Sequence, residues 1–292
     1  MNAKESYLKA GKIHQEVSEK IKPLIKVGAS YLDLARKIES MIPSGASLAF
    51  PVNIQPNNEV HYTPIPNDTR VIQQGDLIKI DFGVHVNGYI SDSAFTISFN
   101  PEFDEMVEFT EKALKNALSN LKPGMKISEI GKRLDESMKG SKYKIIKNLM
   151  GHQLNQWELH SSKSVMVYET SSENIFEPGE AYAVEIFVTN GVGHIKSSSN
   201  AIIFALSKKQ SPVRDLKIRN LCKQIQEKRR HFPFSERYII EHLGYSKIDF
   251  FNLKRSDNLV EYPILLELPN SKIAQFEDVI YVDEKEVIIT TK

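Results

Sequence analysis

The chain has 292 residues, 41% hydrophobic and 26% charged, which is enough to bury one large core or two small ones. A formal charge of +1 gives no overall electrostatic pull toward nucleic acid or an anionic membrane. No apolar run approaches the roughly 18 residues of a membrane span, MNAKESYLKAGK is too charged for a secretory leader, and the single cysteine, Cys222, points to a reducing, cytoplasmic setting.

In chain order, residues 4–41 read as two helices broken near Lys26, Val27 and Gly28. Ser30 is an N-cap for YLDLARKIESM, in which Tyr31, Leu34, Ala35 and Ile38 keep helical spacing. Residues 104–138 repeat the plan. GASYLDLARKIE (28–39) aligns without gaps on GMKISEIGKRLD (124–135), and GDLIKIDF (75–82) on GEAYAVEI (179–186). The second alignment sets Asp81 on Glu185. Two halves of the form helix–helix–hairpin predict an α+β fold with a pseudo-twofold axis and a site between the halves.

In the first repeat, KIDFGVHVNGYISDSAFT (79–96) is a hairpin turning at Asn87-Gly88, a strong signal for a two-residue type I′ turn. That register pairs Asp92 with Gly83 and puts Asp81 and Asp92 on one face. The opposite face, with Ile80, Phe82, Val84 and Phe95, is a packing face. Two carboxylates side by side repel unless they face water, share a proton or hold a cation. Glu185 at the matched position brings a third acid to the axis. Glu277, taken as the counterpart of Asp92, brings a fourth. An acidic cluster of this kind with an imidazole suits hard or borderline divalent metals.

If Glu277 closes the second hairpin, that hairpin carries an insertion, roughly residues 195–262. Its segments LKIRNLCKQIQEKRRHF and SERYIIEHLGY read as short helices broken at HFPF, and IAQFEDVIYV returns as a strand. The expected division is a catalytic domain of residues 1–194 and 263–292 with an inserted helical subdomain of residues 195–262. A separate C-terminal domain is the alternative.

Of eight histidines, three have suggestive settings. His61 lies in the polar loop NNEVHYTP. His152 and His160 lie in NLMGHQLNQWELH, where an extended chain sends both to one face. His14, His85, His194, His231 and His242 read as structural or exposed.

The order Asp81, Asp92, His152, Glu185, Glu277 in a duplicated frame resembles the methionine aminopeptidases, the pita-bread metallopeptidases, and most of all their type 2 archaeal-like branch. The resemblance is carried by FPVNIQPNNEVHYTP, KIDFGVHVNGYISDSAFT, NLMGHQLNQWELH, YAVEIF and AQFEDVIYV and runs over nearly the whole chain. It implies an antiparallel sheet covered by helices and two divalent ions per chain (Co, Mn, Fe or Zn). Asp92 and Glu277 would bridge the ions, Asp81 would complete one shell, and His152 and Glu185 the other. A water activated between them would remove the N-terminal methionine of nascent polypeptides. Glu185 would transfer the proton, while His61 and His160 would hydrogen-bond the scissile peptide. Phe50, Leu159 and Phe187 would wall the methionine pocket. The resemblance further implies a cytoplasmic monomer with no membrane partner and no sequence-specific nucleic acid. A ribosome contact would run through KIRNLCKQIQEKRRHF.

GHQLNQW is bulkier than the family's usual run, and Asp278 and Val279 stand where His and Thr are common. Two alternatives remain on this frame. One is an Xaa-Pro aminopeptidase or prolidase, disfavoured because the first repeat starts almost at residue 1 and leaves no room for their extra N-terminal domain. The other is a non-catalytic binding protein, disfavoured because all five ligand positions are intact.

Overall fold

The computed structural model describes residues 1–292. The first half contains helices α1 (Ala3–Ile21) and α2 (Tyr31–Met41), short strands β1 (Ser47–Leu48), β2 (Asn53–Pro56) and β3 (Glu59–Val60), and the hairpin β4 (Leu77–Val86) and β5 (Tyr89–Ser98). The second half repeats it with α3 (Asp104–Leu118), α4 (Ser128–Met138), β6 (Lys144–Ile145), β7 (Gly151–Leu154), β8 (Ser164–Val165) and β9 (Ala181–Thr189). Then come β10 (Lys196–Leu206), α5 (Leu216–Arg229), β11 (Phe234–Ser235), α6 (Lys247–Lys254) and β12 (Leu259–Leu266). The chain closes with β13 (Ile273–Val282) and β14 (Val287–Ile289).

The internal repeat extends to individual hydrogen bonds. Gly28 N donates to Ile72 O and Gly124 N to Phe176 O, both at 2.8 Å. Isolated bridges join Ser30 to Val71 and Lys126 to Ile175. Gly28 and Gly124 have φ of +85° and +82°, a left-handed turn that glycine adopts without penalty. Ser30 caps α2 as expected, accepting from Asp33 N, whereas α4 has no side-chain cap because Lys126 stands at the matching position.

One ten-stranded sheet runs β1-β4-β5-β13-β9-β7-β8, with β2, β14 and β6 attached at its sides. The β4–β5 register is the expected one, with Asn87-Gly88 at the turn and Gly83 opposite Asp92. Glu277 faces Glu185 across β9 and β13, just as Ala94 faces Asp81 across β4 and β5. Gly75 N donates to Phe99 O and Gly179 N to Val282 O, which fixes the same correspondence. The counterpart of Asp92 is therefore Gln275, and Glu277 matches Ala94. The sequence reading was off by two residues. Strand period two left the face unchanged, so the acid still reaches the site.

Each half has its own core on the helical face. Nineteen buried residues, including Val17, Ile38, Ile80, Phe82 and Val84, pack under α1 and α2. Seventeen, including Leu114, Ile130, Val184 and Ile280, pack under α3 and α4. The halves join at β5 and β13, where Glu277 pairs with Ala94 and the hydroxyls of Ser93 and Thr96 donate to Glu277 O and Gln275 O.

The inserted stretch is not purely helical. β10 and β12 form a second sheet, ordered β11-β10-β12-β3, over the acidic face of the first. Pro263, which has no N–H for the ladder, sits opposite Ala201 at irregular register. A core of Phe204, Leu221, Cys222, Ile225, Phe250 and Leu253 lies beneath α5 and α6. The sequence reading missed these strands because β10 opens with the polar run KSSSN, which has no apolar alternation.

His14 is one of the structural histidines. Its Nε2 donates to Phe82 O at 2.9 Å and its ring stacks on Phe82 at 4.0 Å. Burial lowers its pKa from the usual 6.5 to about 4. The unfolded chain therefore takes up a proton first. Stability from this group is complete above pH 6.5 and is lost as pH falls toward 4, about 3 kcal/mol in full. His14→Gln keeps a donor and is expected to flatten this acid limb in urea unfolding measured from pH 7.5 to 4.5.

Candidate metal centre

Asp81, Asp92 and Glu277 are buried on the sheet face away from the helices, at 7%, 4% and 3% exposure. This rules out a solvated strand face. Ligand atoms of Asp92, His152 and Glu277 lie within 4.8 Å of one another. Asp81 and Glu185 line the same cavity of about 90 Å³, together with Phe50, Asn53, His61, Leu159, His160, Ile203, Pro233 and Tyr262.

His152 and His160 meet by a different route from the one expected. The chain does not run extended between them. Asn155 N donates to Glu158 O, and Ser161 N returns to Gln153 O. This tight loop brings the two rings to 4.3 Å. His61 has φ of +62° and donates its backbone N–H to Gln55 Oε1 at 2.5 Å. Val60, just before it, pairs with Leu265 of β12, so the inserted sheet fixes His61.

Phe187 does not line the cavity. It is packed against Val60, Ile146, Ile195 and Ile273, because the second sheet covers that end of β9. Phe50 packs over Gly83, the residue opposite Asp92: a Cβ on Gly83 would lie 2.5 Å from its ring. Ile203, Pro233 and Tyr262 were missed because they roof the site from the insertion. Asp278 lies on the other face of β13, where Thr291 donates to it, so its departure from the family pattern leaves the cavity untouched.

The electrostatics are those of a cation site. Burial raises Asp81 to about 6, against hydrogen bonds from Gln275, Asn53 and Gln55. Burial, then Asp81 and Glu185, raise Asp92 well above the carboxylate range. Burial, then Asp92, Glu185 and Asp81, do the same to Glu277, and burial with Asp81 raises Glu185. Burial lowers His61 to about 4 and His152 to about 3, so both rings are neutral near pH 7. Asp81 Oδ1 and Asp92 Oδ1 are buried with no hydrogen-bond donor. Orphaned carboxylate oxygens beside a neutral imidazole fit a divalent cation, which supplies the missing charge.

A buried relay supports Asp81. Gln275 Nε2 donates to Asp81 Oδ2 at 3.1 Å, and Gln55 Nε2 donates to Gln275 Oε1 at 2.9 Å. Gln55 Oε1 accepts from His61 N, so the relay ties a carboxylate to the His61 loop. Both glutamines are fully buried. Sequence reasoning passed over them, although an amide on an acidic strand face was the available signal. Gln275→Met is expected to weaken Mn²⁺ affinity about 10- to 100-fold, as loss of a ligand's supporting hydrogen bond does, in calorimetric titration.

A duplicated frame with carboxylates and imidazoles at its seam defines a metal-dependent hydrolase. Residues 5–284 match the model of metallopeptidase family M24, and the chain belongs to that family. The methionine aminopeptidase of Thermococcus kodakarensis is 34% identical over 296 residues, covering 100% of each chain. Among solved structures, a thermophilic Arx1 superposes with a TM-score of 0.82 at 17% identity, covering 99% of this chain and 90% of its own. The methionine aminopeptidase of Thermotoga maritima gives 0.71 at 18%, covering 99% and 96%. At these identities the two structures speak to the fold, which is the pita-bread fold.

Proposed function

We infer that this protein removes the N-terminal methionine of polypeptides by metal-dependent hydrolysis. The observation that carries this is the buried seam of Asp92, His152 and Glu277, in a chain aligned end to end with a methionine aminopeptidase. We assign Asp81, Asp92, His152, Glu185 and Glu277 as the groups that hold divalent cations, two per chain. A metal pair supplies Lewis acidity and makes water nucleophilic at neutral pH.

The chain's own residues do the rest. Glu185, at the cavity wall, takes the proton of the attacking water and delivers it to the leaving amine. His61 and His160 are neutral donors that stabilise charge developing on the scissile carbonyl. Phe50 and Leu159 receive the methionine side chain, with Ile203 and Tyr262 from the insertion closing the pocket. In this reading residues 1–194 and 263–292 are the catalytic domain and residues 195–262 an inserted subdomain. All assigned ligands come from one chain, which is consistent with a monomer. The lone cysteine is consistent with a cytoplasmic location. Arg219 and Lys228, exposed on α5, offer a surface for a ribosome contact, tested by salt-sensitive cosedimentation.

The test is methionine release from Met-Ala-Ser by metal-stripped protein with added Mn²⁺, Co²⁺ or Fe²⁺, beside an Xaa-Pro peptide. Metal-dependent release of methionine alone is expected. Cleavage of the Xaa-Pro peptide alone would overturn the assignment in favour of a proline-directed enzyme.

A further inference from the structure

The catalytic cavity of about 90 Å³ opens onto a groove of about 770 Å³. Leu159, His160, Pro233 and Tyr262 line both. The first holds little more than one side chain. A substrate's remaining residues must leave past His160, and the groove begins there.

The groove has a built recognition element. Trp157, the chain's only tryptophan, forms part of one wall. Its backbone N–H donates to Gly88 O at 2.8 Å, and its indole lies 2.5 Å from where a Cβ on Gly88 would be. Arg230, which follows α5, also lines the groove, with its guanidinium 4.3 Å from the Trp157 ring centre. Both residues have positive φ, +63° and +53°, which bulky side chains rarely adopt. Strained pairs of this kind persist where surrounding structure imposes them, and they cluster at ligand sites.

The charges are also arranged for a ligand. Of the groove's two carboxylates, Glu158 is taken by Lys208 at 3.3 Å and Glu227 by Lys223 at 3.8 Å. Arg230 makes no ion pair. His231 lies beside it with Nδ1 toward Leu206 O. An exposed guanidinium held over an aromatic ring, with no ion pair, keeps its N–H fork free for a carboxylate.

We propose that this groove is the subsite for the third and fourth residues of the substrate polypeptide, and that Arg230, held on Trp157, selects an acidic side chain there. The inference rests on the aminopeptidase reading of the adjoining cavity. Arg230 is a specificity residue in this scheme and takes no part in bond cleavage.

The test compares Met-Ala-Asp-Glu, Met-Ala-Lys-Lys and the dipeptide Met-Ala on metal-loaded full-length protein, with Trp157 fluorescence as a second readout. The acidic peptide is expected to show about fivefold higher kcat/KM than the basic one, expressed in KM and reduced by added salt. It is also expected to perturb the tryptophan emission. Arg230→Gly, which adopts this backbone without strain, is expected to erase the preference and leave Met-Ala turnover unchanged. Equal cleavage of both tetrapeptides by the unmodified protein, with no emission change, overturns the inference and leaves the aminopeptidase reading standing. Absence of any cleavage, with the acidic peptide still shifting the emission, refutes the aminopeptidase reading and keeps the acidic groove.

Discussion

Asp92→Asn is expected to abolish peptide hydrolysis while raising the melting temperature of the metal-free protein. The two effects have one cause. Asp92 sits in a buried cavity with Asp81, Glu185 and Glu277, and burial with its acidic neighbours disfavours its charge. Without a cation the folded chain bears that repulsion or takes up protons. A neutral amide of the same shape relieves it. Asp92 Oδ1 accepts no hydrogen bond, so the native fold loses no partner at that atom. A gain of about 1 kcal/mol corresponds to about 1.5–2 °C in a chain of this size. With Mn²⁺ present the sign reverses, because binding that stabilises only the folded state is weakened. Calorimetry with and without metal, alongside methionine release, reads both. Wild-type turnover by the variant would remove Asp92 from the ligand set.

His160→Ala is expected to lower kcat about 10²- to 10³-fold, the usual loss for one donor to a developing oxyanion, with metal affinity unchanged. His160 stands at the mouth of the cavity, shared with the groove, and its ring is 4.3 Å from His152. Burial lowers its pKa, so at neutral pH it is an uncharged donor. His160→Gln, which keeps an N–H, should recover part of the rate. Steady-state kinetics and metal titration separate the roles. A parallel fall in metal affinity would make His160 a ligand instead.

The sequence carried the acidic seam because two independent periodicities met there. Strand parity put Asp81 and Asp92 on one face, and the duplication carried Glu185 to the matching place. The same parity rescued Glu277, whose counterpart was misjudged by two residues. The resemblance misled at Phe187, which shares the strand of Glu185 but lies under the second sheet. Parity was the wrong reason for His152 and His160, which a tight turn brings together.

By itself, the sequence determined the duplicated frame, the hairpin register at Asn87-Gly88 and the residue types of the metal site. These are local or repeat properties: turn chemistry, a period of two or 3.6, and matched positions in two halves. Tertiary structure alone decided the roof of the site, the Gln55–Gln275 relay beneath Asp81 and the Trp157–Arg230 contact in the groove. Each of these joins segments far apart in the chain, held by packing between the two sheets and the insertion. No local pattern encodes such contacts.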